Sequence, residues 1–257
     1  NEGRSKVVDF KFAADFINKR CKNAVKGTPI YRGNRKVEDD YLHIIPANYD
    51  ARISPYADTN YYNLLFSNLP SWKKYPKRNK SIVCSTDYDE ARNRNNHFCP
   101  YRVFPVDGSN IGVCPDWDIW DSFTDALDGN DLADFNYVLE AFLENVLPSG
   151  ILWGQRADVD YSIFVKQCKL IDKNKKDTSI DDIYDIYRRP WLDAWFESDQ
   201  PFLSYISQLL SPDKNGFKLV KVGAKMPDTR EVWTDGESIL IRTSSALYAE
   251  IFGKDEN

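Results

Sequence analysis

Apolar residues at helical spacing open the chain. Phe12, Phe16 and Ile17 recur three to four positions apart within residues 8–22, which predicts an amphipathic helix. This helix is expected to end near Gly27, because glycine commonly follows the last turn of a helix. Shorter helices are predicted at 61–69, at 88–94 behind the capping residue Asp87, and from Ser244 or Ser245 to Phe252.

Short apolar runs bounded by turn residues predict β-strands in both outer parts of the chain. They lie at 29–33, 81–85, 101–106, 111–114, 217–222, 231–234 and 238–242. Turns at Asp107-Gly108 and Asp235-Gly236 each separate two such runs, which predicts two β-hairpins. Residues 34–58 are polar and irregular and read as a long surface excursion.

The middle of the chain, residues 116–215, has a different character. Apolar spacing there is helical, as in Tyr137, Leu139 and Phe142, and further helices are predicted at about 158–171, 180–197 and 201–210. A β pattern split by helices indicates either a helical subdomain inserted into an α+β fold or helices packed over an antiparallel sheet. We favour the insertion, because the strands on either side are too few for independent sheets.

Composition excludes some kinds of site. The chain has 257 residues, 42% of them hydrophobic, and 34 basic against 39 acidic side chains, for a net charge of −5. With only two histidines, His43 and His97, a multi-histidine metal centre is excluded and no metal is expected. No apolar run approaches the roughly 18–20 residues that cross a bilayer, so no membrane interaction is expected.

Cysteine usage indicates a reducing compartment. The five cysteines form no Cys-x-x-Cys pair, and Cys84 and Cys114 lie inside apolar strand-like runs, where cysteine usually behaves as a small buried hydrophobe. No hydrophobic signal region is present in the first ten residues, NEGRSKVVDF. The expected location is therefore cytoplasmic, with reduced core thiols.

Three polar signals interrupt the apolar strands. Arg32 precedes Gly33 on an early strand, where it either pairs with a carboxylate or presents its guanidinium to a phosphate. Ser85-Thr86 closes a second strand before Asp87 and either lines a cleft or caps the next helix. Glu231 opens a late strand behind a loop at 223–230 and either projects into a cleft, is solvated, or pairs with a neighbour such as Arg230.

Arginine, serine and glutamate in this order resemble the ADP-ribosyltransferases of the arginine–serine–glutamate class. SIVCSTDYDEA is similar to that family's second motif, and YRVFPVDGSNI to the strand, glycine turn and strand that follow it. EVWTDGESILIR resembles the closing glutamate strand and its hairpin partner. The resemblance covers about residues 10–115 and 216–252. It implies a split antiparallel β-sandwich with an N-terminal helix, forming a single domain over 1–257 with 116–215 as a helical insertion.

The resemblance also implies an activity: transfer of ADP-ribose from NAD to a macromolecular acceptor, protein or nucleic acid, with release of nicotinamide. Arg32 would clamp the pyrophosphate, Ser85 would hydrogen-bond around the nicotinamide ribose, and Glu231 would stabilise the positive charge that develops on it. Gly33 and Thr86 are also expected to bind NAD. Tyr61 and Tyr62 are expected either to bind NAD by stacking on nicotinamide or to pack in the core. The resemblance implies that NAD is the substrate and that no metal is needed. It is also compatible with a phage or bacterial effector that acts in a host cytoplasm.

The chain departs from the family pattern next to the glutamate. Arginine-modifying members usually carry a second glutamate two residues before the catalytic one, where this chain has Thr229, so arginine is not the favoured acceptor. Glu237 is a rival catalytic glutamate, but it falls at a turn, so we prefer Glu231. The resemblance makes 223–230 the acceptor-recognition loop.

A function without catalysis remains open. Five positive charges lie between Lys73 and Lys80 beside Trp72 and Tyr75, and such a run either contacts nucleic acid or is a solvated loop. An interaction module would bind protein or nucleic acid through this run and through the helical block 116–215, where a protein partner is also possible for the enzyme. A sugar hydrolase with paired carboxylates has less support, because no pair has a useful spacing.

Overall fold

The computed structural model describes residues 5–33, 39–46, 61–93, 99–146, 161–176 and 188–253. The strands are β1 (Lys6–Val7), β2 (Tyr31–Arg32), β3 (Tyr41–Ile44), β4 (Ile82–Ser85), β5 (Tyr101–Pro105), β6 (Asn110–Val113), β7 (Lys218–Lys221), β8 (Glu231–Thr234) and β9 (Ser238–Arg242). The helices are α1 (Phe10–Arg20), α2 (Lys22–Lys26), α3 (Tyr61–Asn68), α4 (Tyr88–Asn93), α5 (Leu132–Val146), α6 (Tyr161–Asn174), α7 (Pro190–Glu197), α8 (Phe202–Leu209) and α9 (Ala246–Phe252).

The chain divides into two compact units. The sheet unit comprises Asn1–Arg52, Tyr75–Asp118 and Lys218–Asn257, and the helical unit comprises Ile53–Lys74 and Ile119–Phe217. A helical insertion was expected at 116–215, and the helical unit also takes in the segment that carries α3. No helix in the described ranges is long and apolar enough to cross a membrane.

Within the described residues, the nine strands belong to one open antiparallel sheet, in the order β1-β3-β9-β5-β2-β4-β8-β6-β7. We call the first five strands of this order the first half and the last four the second half. Leu42, Val103 and Leu240 of the first half share one buried cluster with Cys84 and Val232 of the second. The α+β class is therefore confirmed, and the two expected sheets are instead two halves of one sheet around a common core.

The two halves meet at β2 and β4 through a single registered pair, Tyr31 opposite Ser85. Arg32 reinforces this joint, since its Nη1 donates to the Val83 carbonyl of β4 at 3.0 Å. By contrast, β5 and β9 within the first half share five registered pairs. The joint is thus the narrowest part of the sheet, and it lies where two of the predicted polar signals occur.

Both predicted hairpins are wrong. The strands on either side of Asp107-Gly108, β5 and β6, do not pair with each other, and neither do β8 and β9 around Asp235-Gly236. Each turn carries the chain from one half of the sheet to the other, so that β5 pairs with β9 and β6 with β8. β5 lies between two cores, with Val103 in the shared core and Phe104 in a second core on its other face, and all five of its residues pair with β9.

The second core lies under α1 and α9. Ala13, Phe16 and Ile17 of α1 pack with Phe104, Ile239 and Ile241 of the sheet and with Leu247 and Tyr248 of α9. The predicted helix near the N-terminus is confirmed but broken at Cys21, because the carboxylate of Asp107 accepts hydrogen bonds from the Lys22 and Asn23 amides and starts α2 there. Ser245 caps α9 as one of the two predicted candidates.

The strand β3 was missed. It lies inside the segment predicted to be an irregular excursion, and its four residues pair with β9 along their whole length. Leu42 and Ile44 enter the shared core, whereas Tyr41 and His43 face α1. Its alternation covers only four residues, so the partner strand, rather than the local pattern, determines that this segment is extended.

The helical unit has an aromatic core. Its rings come from helices and turns far apart in the sequence: Tyr62, Phe66, Trp72, Trp120, Phe123, Phe135, Phe142, Phe164, Trp191, Trp195, Phe202 and Phe217. Phe66 stacks against Phe123 and Trp72 packs at a tilt against both rings, so the segment with α3 belongs to this unit. Core packing thus accounts for most of the tryptophans of this region.

Glu237 holds together the turn before β9, the helix α1 and the strand β3. Its two carboxylate oxygens lie 2.6 Å from Arg20 Nη2 and 2.8 Å from His43 Nε2. Partial burial raises the pKa of Glu237, but the hydrogen bonds from Arg20 and His43 outweigh it and leave the pKa below its ordinary value. The folded state therefore favours the charged form of this carboxyl.

We expect Glu237→Gln to reduce the free energy of unfolding by about 1–2 kcal/mol at neutral pH, because two charge-assisted hydrogen bonds are weakened. Since the folded-state pKa is lowered, this contribution is present above the ordinary carboxyl pKa and is lost as the pH falls through the folded-state value. Urea unfolding at pH 7 and at about pH 3 measures the difference. Glu250→Gln, at an exposed position of α9, is the control. A deficit of equal size at both pH values would contradict the assignment.

Candidate active site

The three predicted polar signals meet on adjacent strands. In the sheet order, β2 with Arg32 lies beside β4 with Ser85, and β4 lies beside β8 with Glu231. Ser85 is registered opposite Tyr31 on one side and opposite Glu231 on the other. The fold therefore brings together residues that are far apart in the chain, and it does so at the joint between the two halves of the sheet.

A cleft of ≈ 140 Å³ opens at this joint. Its lining is formed by β2, β4 and α4 and comprises Tyr31, Arg32, Gly33, Val83, Cys84, Ser85 and Ala91. Arg32, Gly33 and Ser85 thus line one cavity. Glu231 is registered beside Ser85 but does not line this cleft.

Glu231 is buried in an ion pair. Its side-chain oxygen Oε1 lies 2.5 Å from Nη2 of Arg78, and the two residues are only 3% and 5% exposed. The Arg78 guanidinium also lies over the Trp233 ring, 5.4 Å from its centroid. A buried carboxylate needs such a counter-charge, since removal of one partner leaves an uncompensated buried charge at a cost of about 3–5 kcal/mol.

Sequence reasoning missed Arg78 as the partner of Glu231. Arg78 was interpreted as one charge of the basic run, and Arg230 was named as an example of a neighbour with which Glu231 could pair. Arg230 instead donates to the neighbouring carbonyl of Thr229, and Arg78 reaches the site from a short turn that begins after Lys77. A usable signal was present, because a buried strand glutamate implies a buried cation elsewhere in the chain.

The segment that carries Arg78 is fixed to β8. Trp233 donates from Nε1 to the Pro76 carbonyl at 2.9 Å, and its ring stacks on Tyr75. Trp233 also covers Gly112, whose missing side chain leaves room for the indole: an added Cβ would lie 2.3 Å from it. Of the predicted basic run, Arg78 is therefore buried, whereas Lys73, Lys74 and Lys77 are exposed.

The turn after β4 connects the site to the predicted acceptor loop. Ser85 Oγ accepts from the Asp87 amide at 3.0 Å, and Asp87 caps α4 by accepting from the Glu90 amide. Thr86 Oγ1 donates to the Pro227 carbonyl and accepts from the Arg230 amide. Of the two readings of Ser85-Thr86, cleft lining holds for Ser85, whereas the cap of α4 is the Asp87 side chain and Thr86 is bonded to the loop before β8.

Thr229 has an unusual backbone conformation at the end of this loop. Its φ of 54° lies in the left-handed region, which is rare for a β-branched residue and costs on the order of 1–3 kcal/mol. Its hydroxyl donates to Asp87 Oδ2 at 3.1 Å. Thr229 lies two residues before Glu231. Because Thr229 bonds to Asp87 and the loop also bonds to Thr86, side chains of the turn after β4 hold this loop in place.

Tyr61 and Tyr62 are placed in the core of the helical unit. Tyr61 is 3% exposed and packs against Phe164, and Tyr62 is 4% exposed and packs against Trp120. Burial raises the pKa of Tyr61 above its ordinary value, as expected for a phenol in an apolar core. These rings were expected either to stack on nicotinamide or to pack in the core, and in the structure both pack in the core.

No cluster of three or more potential metal ligands occurs among the residues that the structure describes. His43 contacts Glu237 on the first half of the sheet, and His97 lies outside the described ranges. All five cysteines are free, and Cys21, Cys84, Cys114 and Cys168 are buried. Burial raises the pKa of the Cys21 thiol to about 12, so this thiol is unreactive at neutral pH.

We expect Thr86→Val to loosen the loop at 227–230 without unfolding the sheet. The isosteric change removes two hydrogen bonds that hold the loop, a local loss of about 1–2 kcal/mol, so trypsin should cut after Lys225 or Arg230 at least about tenfold faster. Limited proteolysis read by mass spectrometry measures this rate. Thr243→Val, which removes the hydrogen bond from the Thr243 hydroxyl to the Pro100 carbonyl, is the control, and trypsin should cut it at the wild-type rate. Equal rates in all three proteins would contradict the role of Thr86.

Comparisons of the chain with models of protein families, with curated proteins and with solved structures find no match. The site is therefore defined by its own residues: a cleft with Arg32 and Ser85, and beside it a buried Glu231 held by Arg78.

Proposed function

We propose that this protein is a mono-ADP-ribosyltransferase that uses NAD as substrate and releases nicotinamide. One observation carries the proposal: Arg32, Ser85 and Glu231, far apart in the sequence, lie on three adjacent strands, with Ser85 registered opposite Glu231. If these three polar residues had unrelated structural roles, there would be no reason for them to lie together at one joint of the sheet. Their adjacency is what a single ligand contacting all three would need.

The proposed chemistry uses the charge of Glu231. When the bond between the ribose C1′ and the nicotinamide nitrogen breaks, its electron pair leaves with nicotinamide and positive charge develops on the ribose. A fixed carboxylate stabilises that charge far better than water does, because it is already oriented in a medium of low dielectric constant. A nucleophile of the acceptor then bonds to C1′ and loses its proton. Arg78 provides the counter-charge that a buried carboxylate at this position requires.

Arg32 and Ser85 bind the substrate in the proposal. The guanidinium fork of Arg32 suits the pyrophosphate, whose oxygens accept paired hydrogen bonds. Ser85 lies on β4, between β2 with Arg32 and β8 with Glu231, and is registered opposite Glu231. This position suits a hydroxyl that contacts the nicotinamide ribose. Gly33 and Thr86 complete the predicted contacts, Gly33 as part of the cleft lining and Thr86 through the turn that it stabilises.

The acceptor class is narrowed by the loop at 223–230. Thr229 provides a hydroxyl where a second carboxylate would be, and that hydroxyl is bonded to Asp87. A guanidinium acceptor would lack the anionic partner that lowers its barrier to attack, so the proposal favours an acceptor other than arginine. A macromolecular acceptor, protein or nucleic acid, and a protein partner at the helical unit remain part of the proposal.

We expect Glu231→Gln to lower the rate of nicotinamide release from NAD by about 10²–10³-fold, because the neutral amide cannot stabilise the developing positive charge. Glu237→Gln is the matched control, since it removes the rival glutamate from the same turn region and should retain activity within about threefold at neutral pH. Nicotinamide is quantified by chromatography after incubation with NAD and a cell lysate.

Circular dichroism and the unfolding midpoint of both variants establish that the sheet is intact. Equal nicotinamide release by wild type and Glu231→Gln would contradict the assignment, and so would loss of activity in Glu237→Gln alone.

A further inference from the structure

The strand β7 forms one edge of the sheet. Among the residues that the structure describes, β7 pairs with β6 alone, so no strand lies along its other side, which we call the open edge. The sequence of β7 is Lys218-Leu219-Val220-Lys221, and all of these residues except Val220 are exposed. Leu219 is one of the large apolar side chains that remain exposed, at 36%. A strand edge of this kind is a template to which another extended segment can add.

The ladder with β6 determines which backbone groups of β7 face the open edge. The Val222 amide donates to the Ser109 carbonyl at 3.1 Å, so these two residues form a hydrogen-bonded pair next to β7 and β6. Such pairs alternate along antiparallel strands, and Val220 is therefore bonded to β6. The backbones of Leu219 and Lys221 point away from β6. They provide amide and carbonyl groups for a further strand.

Positive charges lie at both ends of the open edge. Lys218 and Lys221 are exposed, and neither forms an ion pair with a carboxylate in the part of the chain that the structure describes. Lys221 Nζ donates to the neutral Gly108 carbonyl at 2.9 Å, and the Lys221 carbonyl accepts from the Ala224 amide. These bonds fix Lys221 in place without compensating its charge. The edge therefore attracts a negatively charged segment.

The same lysines disfavour a second copy of this chain as the occupant. Two β7 strands that pair symmetrically in antiparallel orientation place each Lys218 opposite a Lys221. Like charges directly opposite each other destabilise a strand pair, and lysines on edge strands commonly prevent association in this way. A segment with acidic residues at these two positions replaces the repulsion by attraction. The lysines thus select between partners, because they act against one sequence and in favour of another.

We propose that the open edge of β7 binds an acidic, extended segment of a partner protein as an additional antiparallel strand. The segment has two acidic residues separated by two apolar residues, which places its carboxylates opposite Lys218 and Lys221 and an apolar side chain beside Leu219. Backbone hydrogen bonds provide affinity, and the lysines provide the choice of sequence. This inference goes beyond the proposed function, because binding at the edge does not need NAD.

The test measures binding of a fluorescein-labelled peptide with the central sequence Glu-Val-Leu-Glu by fluorescence anisotropy. A peptide with Lys-Val-Leu-Lys at the same place is the matched control and should not bind the wild-type protein. Leu219→Pro removes the outward amide of β7 at an edge position where proline is tolerated. We expect this variant to bind the acidic peptide at least about fivefold more weakly than wild type, with little change in the unfolding midpoint.

Charge reversal tests the choice of sequence even where Leu219→Pro fails to fold. The double variant Lys218→Glu with Lys221→Glu should bind the acidic peptide at least about threefold more weakly and should bind the lysine peptide instead. The double variant Lys166→Glu with Lys169→Glu has the same net charge, with both changes at exposed positions of α6. It is the control and should bind both peptides as wild type does.

Failure of the wild-type protein to bind the acidic peptide would overturn the proposal, and so would equal affinities of wild type and Leu219→Pro. Concentration-dependent dimerisation of the wild type that Leu219→Pro abolishes, measured by light scattering without peptide, would assign the edge to a second copy and overturn it as well. A protein that binds the peptide in the expected order but never cleaves NAD would contradict only the proposed function.

Discussion

The joint between the two halves of the sheet is the constraint on which the rest of the site depends. Both halves pack against one core, yet they are connected by a single registered pair, Tyr31 with Ser85, and by the bond from Arg32 to the Val83 carbonyl. A continuous sheet has no room for a ligand among its strands, whereas a sheet that is narrow at one point opens a cleft there. Arg32 and Ser85, which lie at this joint, line that cleft, and the turn after β4 is bonded through the Thr86 hydroxyl to the loop before β8.

The ion pair between Glu231 and Arg78 connects this architecture to chemistry. Burial makes each charge of the pair dependent on the other, because removal of one would leave the other buried and uncompensated. Trp233 takes part in the same arrangement, since it lies on Gly112, bonds to Pro76 and supports the guanidinium. The contacts that fix Arg78 in the folded protein thus also fix the position of the Glu231 carboxylate.

Local patterns predicted what depends on local physics. The strand positions around Ser85 and Glu231, the cap at Asp87 and the amphipathic helix near Phe16 follow from alternation, side-chain capping and helical spacing, and all of them are observed. Strand partners were not predictable in this way, because an Asp-Gly turn between two apolar runs looks the same whether the strands pair or diverge. Arg78 was missed for a related reason, since its partner lies far away in the sequence. The burial of Tyr61 and Tyr62 depends on the whole aromatic core of the helical unit, which no short segment reveals.

The central claim is that the joint with Glu231 transfers ADP-ribose from NAD. It is tested most directly by incubating the protein with a cell lysate and NAD labelled in its adenosine half, and by comparing labelled macromolecule with nicotinamide released. With the wild-type protein, we expect equal amounts of transferred label and released nicotinamide. With Glu231→Gln, we expect neither product above background. Label and nicotinamide at background with the folded wild-type protein, or equal labelling by the variant, would contradict it.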